Sequence, residues 1–224
     1  MTGKIKLVHS GGNAVSLAVP TSNPSSSEVE FKLPQADGTS GQALVTDASG
    51  NLSFSGTGKI LQVVINEKGS TVSISGQNNS GSFGDVTGIN VTITPTAASS
   101  KILVQFCLGK VSHDSNSTGV RFTRSVAGGT AAAIKVADAA GSRQTVSSNI
   151  FGTGLINTGH AQAFNYQFVD TPSYSVGQAI VYQMQVQTEG SGNFYVNRTH
   201  DDTNNANIHY ARAFSTITAT EVAA

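Results

Sequence analysis

The sequence predicts an all-β protein, an extended N-terminal segment followed by a β-sandwich knob with jelly-roll-like topology. Three observations predict it. Val, Ile and Thr supply 22, 13 and 23 of the 224 residues, against 24 for Leu, Met, Glu and Lys together. Side chains branched at Cβ are stiff at χ1 and suit a pleated surface, whereas the second group favours helices. Short runs of period-two apolar alternation also recur between Gly, Ser and Asn turns, and no ten-residue window carries a convincing 3.6-residue period.

The chain divides near residue 58, into an attachment and linking segment (1–57) and a sandwich domain (58–224). Lys4 to Val8 reads as a short strand, Ser10 to Asn13 as a turn, and Ala14 to Val19 as an alternating strand stopped by Pro20. Thr21 to Ser27 is loop by composition. Val29, Phe31 and Leu33 fall on one face of an expected strand, with Glu30 and Lys32 on the other. Asp37-Gly38, Ser40-Gly41 and Ser49-Gly50-Asn51 bracket Gln42 to Thr46, the pattern of tight turns between very short strands. A segment this poor in aromatics buries too little surface alone to offset its ordering entropy. It is therefore expected to order by docking, on copies of itself or on another protein.

Beyond Gly58 the strand signal strengthens. Ile60 to Ile65 and Thr71 to Ser75 come first, with Glu67 to Ser70 as an expected hairpin connection. Ile89 to Thr94 alternates and ends at Pro95. Lys101 to Leu108 is nearly continuously apolar, as for a central strand covered on both faces, which makes Cys107 a buried small hydrophobe. Gly119 to Val126, Phe164 to Phe168, Ile180 to Gln187, Asn193 to Asn197 and Ile208 to Thr218 complete the strands. Gly128 to Ala140 is the expected place for a helical turn.

Composition excludes several classes of function. Thirteen basic and thirteen acidic side chains leave no net charge, so the long-range attraction that nucleic-acid binding uses is missing. No run approaches the ~18–20 apolar residues of a membrane span, and the first residues show no secretory pattern. One cysteine rules out an internal disulfide.

The stretch Asp37 to Phe54 (DGTSGQALVTDASGNLSF), with Leu33-Pro34 before it, resembles the "LP-x-x-DG-x-x-GQ-x-L-x-T-D/N-G-x-G-x-L-x-W/F" element of tail-fibre and other virion proteins of tailed phages, those of marine cyanophages especially. Ala48 stands where glycine is usual, and Phe54 replaces the more frequent tryptophan. Downstream, Lys59 to Val64, Phe83 to Gly88, Val91 to Pro95 and Ser99 to Val104 are similar to a globular module that follows this element in such proteins. The resemblance implies a virion protein made in the host cytoplasm, with other tail or capsid proteins as partners. Gly38, Gly41 and Gly50 permit close approach, and Leu44, Leu52 and Phe54 supply apolar knobs. Residues 28–57 are accordingly expected to wind into a threefold neck, making the protein a homotrimer, and the first thirty or so residues to carry the virion address.

Candidate chemistry is sparse. His200, Asp201, Asp202 and His209 form the one His/carboxylate cluster, a possible cation site in a loop of turn formers where solvated charge is the better reading. His113 to Asn116 likewise reads as a loop; His9 and His160 are isolated. No nucleophile elbow, phosphate loop or dinucleotide fingerprint is present. Arg121 and Arg124 fall on opposite faces of one strand, either on a wet edge or with one pairing Asp138 or Asp170 of a neighbouring subunit. The expected role is therefore structural, without catalytic, cofactor or metal residues: a tail fibre or tail appendage, with a head fibre or capsid decoration (cement) protein as the alternative. Host attachment through a surface glycan, with Tyr174, Tyr195, Asn204 and Asn205 as contacts, is compatible with this, and a polysaccharide depolymerase is the weakest alternative.

Overall fold

A computed structural model of the chain describes residues 4–18, 20–22, 24–26, 28–39, 41–56, 59–75, 82–151 and 160–224. Of the residues singled out above, Val19, Asn23, Ser27, Ser40, Thr57 and Gly58 lie outside that set. The chain forms two units, Met1–Gly58 and Lys59–Ala224.

In the first unit, β1 (Lys4–Val8) and β2 (Ala14–Ala18) form an antiparallel ribbon. The turn between them closes through His9 and Asn13, with the Gly11 amide donating to His9 Nδ1 at 3.0 Å. A second hairpin pairs β3 (Gln42–Thr46) with β4 (Leu52–Gly56). The expected strand at 29–33 is reduced to a single parallel bridge, Lys32 to Asn51, where the Lys32 amide donates to Gly50 O and the Leu52 amide to Lys32 O. None of the described residues of this unit is buried.

The second unit is a β-sandwich. One sheet contains β5 (Ile60–Lys68), β15 (Ser215–Val222), β8 (Lys101–His113) and β12 (Gln162–Asp170) side by side, and β14 (Phe194–Val196) takes over from β15 along the far end of β8 and carries β6 (Val72–Ile74). The other contains β7 (Gly84–Ile93), β13 (Ile180–Thr188) and β9 (Ser117–Val126), with β10 (Ala132–Ile134) and β11 (Ser148–Phe151) sharing the far edge of β9. With β10 and β11 counted as one position and the short β6 and β14 left aside, the eight principal strands run 1-8-3-6 in the first sheet and 2-7-4-5 in the second. That interleaving of two Greek keys is jelly-roll topology.

The core lies between the sheets. Phe106, Phe122, Phe168 and Tyr182 alternate inward from β8, β9, β12 and β13, with Phe106 and Phe122 ring centroids 4.5 Å apart and Phe122 and Phe168 5.4 Å apart. Ile89, Ile93, Ile102, Leu108, Ile180 and Ile217 fill the space around them.

Four expectations need correction. β5 and β6 do not pair across Glu67 to Ser70; β5 joins β15 and β6 joins β14, so that turn marks a change of partner. Residues 128–140 hold the short strand β10 and no helix. The expected strand at 208–218 begins instead as a single 3-10 turn, Ile208–Tyr210, and becomes strand only at Ser215, because Asn207 caps that turn by accepting from the His209 amide. Finally, β8 is central but covered on one face only: Ile102, Val104, Phe106 and Leu108 are buried, while Leu103 and Gln105 are half-buried and Cys107 is exposed.

Candidate functional site

Two regions carry the side chains that bear on function. The first is the N-terminal unit. In the β1–β2 ribbon, Ile5 pairs with Leu17 and Leu7 with Val15. Period-two alternation puts these four aliphatics on one face and Lys6, Val8, Ala14, Ser16 and Ala18 on the other. The four are 65–73% exposed. A two-stranded ribbon is at best marginally stable alone, so this face is one that gains stability when covered.

The structure also explains the 33–54 element physically. Asp47 accepts from the Ser49 and Asn51 amides and from Asn51 Nδ2, at 2.8, 3.1 and 2.6 Å, which forms the turn between β3 and β4. These bonds hold the Asp47 carboxyl below the usual carboxylate range. Gln42 Oε1 accepts from the Thr39 amide at 2.8 Å and closes the preceding turn. Gly50, at φ 85°, lies against Glu30 O where no side chain fits, and a Cβ on Gly38 would come 2.6 Å from the Phe54 ring. Ala48 sits at φ 67°, left-handed backbone, which accounts for the glycine usual there. Leu44 and Phe54 are directly paired and half exposed.

The second region is one end of the sandwich, where the 114–116 loop, the 189–193 turn and segment 197–214 meet. Asp114 is a structural hub rather than a solvated loop charge. It accepts from the Asn193 amide, from Asn193 Nδ2 at 2.7 Å and from the Tyr195 hydroxyl at 3.0 Å, and His200 Nε2 lies 3.6 Å away. Burial alone would raise the Asp114 pKa; the Asn193 and Tyr195 hydrogen bonds and His200 outweigh it and hold it low. Burial together with the bond to Asp114 pushes the Tyr195 phenol up. His113, the last residue of β8, is wholly buried, which pushes its pKa down.

The expected His/carboxylate cluster does not converge. His200 Nδ1 is 3.0 Å from Asp201, whereas Asp202 turns to Arg212 at 2.7 Å and His209 Nδ1 faces Asn207 at 2.8 Å. Among the described residues, no group of three or more His, Cys, Asp or Glu is placed to hold a metal. Of the expected glycan contacts, Asn204 and Asn205 are exposed and the two tyrosines lie far apart. The Tyr174 hydroxyl is taken by Ala97 O and the Ser100 amide at the start of β8, while Tyr195 is buried opposite Ser112 near its other end. About ten residues of strand, at ~3.3 Å each, separate them. Two adjoining hollows, the first polar and the second mixed, share Glu189 at the Asp114 end. One, of about 530 Å³, is lined by Asp114 to Asn116 and Glu189 to Gly192; the other, of about 380 Å³, includes Ser117, Arg143, Gln144 and Asn149.

Two buried networks organise the sandwich, of which the sequence reading named only Asp170 as a candidate partner for an arginine, and that across subunits. Arg124 Nη1 reaches both Asp170 oxygens, at 3.0 and 2.8 Å, within the same chain, and the Tyr182 hydroxyl donates to Asp170 at 2.9 Å. Asp170 is thus the partner of Arg124, but not across subunits, and β9 is an inner strand rather than a wet edge. Burial and Asp170 push the Tyr182 phenol far above its ordinary range. Arg121 bonds Gln185 at 2.8 Å and lies 4.0 Å over the Phe83 ring. Glu221, wholly buried, accepts from Gln62, Ser100, the Thr96 amide and hydroxyl, and the Ala97 amide. Sequence spacing gives no sign of either network, since the partners lie 46 and more than 120 positions apart.

No protein-family model matches the chain, and no curated protein matches it. Among solved structures, a chain of infectious bursal disease virus, Gt strain, is similar at 16% identity and a TM-score of 0.36. A chain of the Gx strain is similar at 14% identity and the same score. The protein is covered over 95% and 94% of its length, and spans about half of those chains, 48% and 47%.

Proposed function

We propose that the protein is a structural component of a tailed-phage virion, a tail fibre or tail appendage that attaches through its N-terminal unit and presents the sandwich as a knob. In this reading it acts as a homotrimer with other virion proteins as partners. The observation that carries it is the β1–β2 ribbon, whose four exposed aliphatics share one face in a unit where no described residue is buried. The 33–54 element supports the phage assignment, since Asp47, Gln42 and Gly50 each have a backbone task and Gly38 makes room for Phe54. A non-catalytic role is supported by the commitments of the acidic residues: Asp47, Asp114, Asp170, Asp202 and Glu221 all accept structural hydrogen bonds.

Leu7→Asp with Leu17→Asp, both at exposed positions, tests attachment. Particles assembled with this variant are expected to lack the protein while the soluble chain keeps its sheet spectrum. Incorporation at the native level would overturn the reading. Copy number then separates the tail from the alternative, a head fibre or capsid decoration protein: a small multiple of three fits a tail position, whereas occupancy on the order of hundreds fits a capsid lattice. A second reading, host-glycan binding by the knob, is favoured by the two adjoining hollows that share Glu189, and a glycan array tests it.

A further inference from the structure

The two outer faces of the sandwich differ in kind. On the β7–β13–β9 sheet the outward side chains include Asp85, Thr87, Asn90, Thr92, Arg121, Gln183 and Gln185, and several of them bond each other: Gln185 to Asp85 at 2.7 Å and Asn90 to Gln183 at 3.1 Å. On the other sheet the register lines up three rows across β5, β15, β8 and β12. Val63, Thr220, Leu103 and Val169 form one row; Ile65, Thr218, Gln105 and Gln167 the next; Glu67, Thr216, Cys107 and Asn165 the third. Leu61 extends the patch beyond Val63 on β5. Val63, Ile65 and Val169 are 52%, 56% and 49% exposed.

We infer that this outer face, centred on Val63, Ile65, Leu103, Cys107 and Thr218, is the surface through which copies of this chain pack together; the inference deepens the homo-oligomeric reading above. A strand that is apolar on both faces is what a sheet covered on both sides requires. β8 has that pattern over residues 102–108, whereas β5 places Leu61, Val63 and Ile65 outward and Gln62, Val64, Asn66 and Lys68 inward; within one chain neither outer face is covered.

The charge pattern fits another copy as the occupant. Across the three rows the one charged side chain is Glu67, at a corner, and the nearest outward base is Lys101, at the far end of β8 toward the opposite corner. Such a face meets itself without like-charge repulsion, in a chain whose net charge is zero. A partner of strong charge finds nothing there to pair with. Four strands ~4.8 Å apart and seven residues long span roughly 20 by 23 Å. That is over half of the ~800 Å² a standard interface takes from each partner, and exposed Phe214, whose carbonyl abuts Gly109, adds to it.

Cys107 is the only cysteine and stands in the third row, so its thiol reports directly on coverage. The experiment is reaction of the native full chain with a thiol-exchange reagent such as DTNB, alongside its mass in solution. Val63→Lys and Thr218→Lys, both on the outer face, are the comparison variants. The native chain is expected as a multimer, with Cys107 reacting at least about tenfold slower than in either variant. Equal rates in a multimeric native chain would overturn this face as the interface while leaving attachment and association by the N-terminal unit standing. A native chain of single mass would overturn both this inference and the homotrimer. The particle-incorporation assay, read separately, decides the virion role in each case.

Discussion

Replacing Glu221 by glutamine removes one charge from the sandwich and almost no volume. In the native protein the carboxylate accepts from Gln62 Nε2 at 2.7 Å, Ser100 Oγ at 2.8 Å, the Thr96 and Ala97 amides at 3.0 Å and Thr96 Oγ1 at 3.1 Å. All are donors, so an amide at this position turns an NH₂ against at least one of them. Hydrogen bonds to a charged group contribute about 1.5–3 kcal/mol each. The 96–99 loop lies at the surface, so water can replace the carboxylate for its two amides, but Ser100 is buried. The expected cost is therefore about 3 kcal/mol, one lost charged bond plus one orphaned buried hydroxyl, rather than the sum over all donors. With a urea m-value of about 2 kcal/mol/M, the unfolding midpoint at pH 7 should fall by about 1.5 M at fixed chain concentration. The pH dependence gives an independent check. Burial would raise the Glu221 pKa, but the Gln62, Thr96, Ser100 and Ala97 bonds outweigh it and set it below the ordinary 4.5. A depressed carboxyl contributes stability above its unfolded pKa and loses it as pH falls through the folded value. Native stability should thus decline below about pH 4.5 more steeply than that of Glu221→Gln. A variant with an unchanged midpoint, or with the same acid slope, would refute the assignment of Glu221 as the staple between β15 and the 94–100 loop.

Ala48→Gly should stabilise the β3–β4 hairpin by about 0.5–1 kcal/mol, because left-handed backbone costs alanine more than glycine; hydrogen exchange at the Asn51 amide should slow by about threefold. Arg124→Met should cost about 3 kcal/mol by leaving Asp170 charged and buried, and Asp170→Leu added to it should recover part of that loss. A double-mutant cycle in urea measures the coupling, and simple additivity would show that the pair does not act as a unit.

Most of the sandwich was legible because alternation is a local signal. Ile180 to Gln187 and Phe164 to Phe168 alternate in the sequence and alternate in burial, with Tyr182, Met184, Phe164 and Phe168 inward. Partner choice was not legible, since turn residues such as Gly69 look the same whether the chain folds back on its neighbour or leaves for another strand. The burial of the two carboxylates was not legible for a related reason, although Asp170 was a candidate partner for an arginine across subunits. Asp170 gains its donors from Arg124 on β9 and Tyr182 on β13, in the facing sheet, and Glu221 from Gln62 on β5 and the 96–100 segment, so both networks exist only once the strands have packed. The His200 to Asp202 cluster was visible as composition, but side-chain direction separates its members, and Asp202 at φ 48° turns toward Arg212 instead.

The mistaken reading of Lys101 to Leu108 is the most informative of these. Its apolar content predicts cover on both faces, as in a buried parallel strand, whereas a strand of an antiparallel sandwich has one face on the core and one turned outward. One chain supplies cover for Ile102, Val104, Phe106 and Leu108 and leaves Leu103 and Cys107 outward beside Val63 and Ile65. Either those outward residues are tolerated individually, as single exposed aliphatics are on most proteins, or the pattern records a second layer that another copy supplies. Scatter is the natural form of the first case. Here Val63, Leu103 and Val169 line up in one row across β5, β8 and β12, with Ile65 in the next beside Gln105 and Gln167, and the intervening β15 contributes Thr216, Thr218 and the buried Thr220 and no charge. Alignment across strands distant in sequence is what a shared covering surface selects and what independent tolerance does not produce.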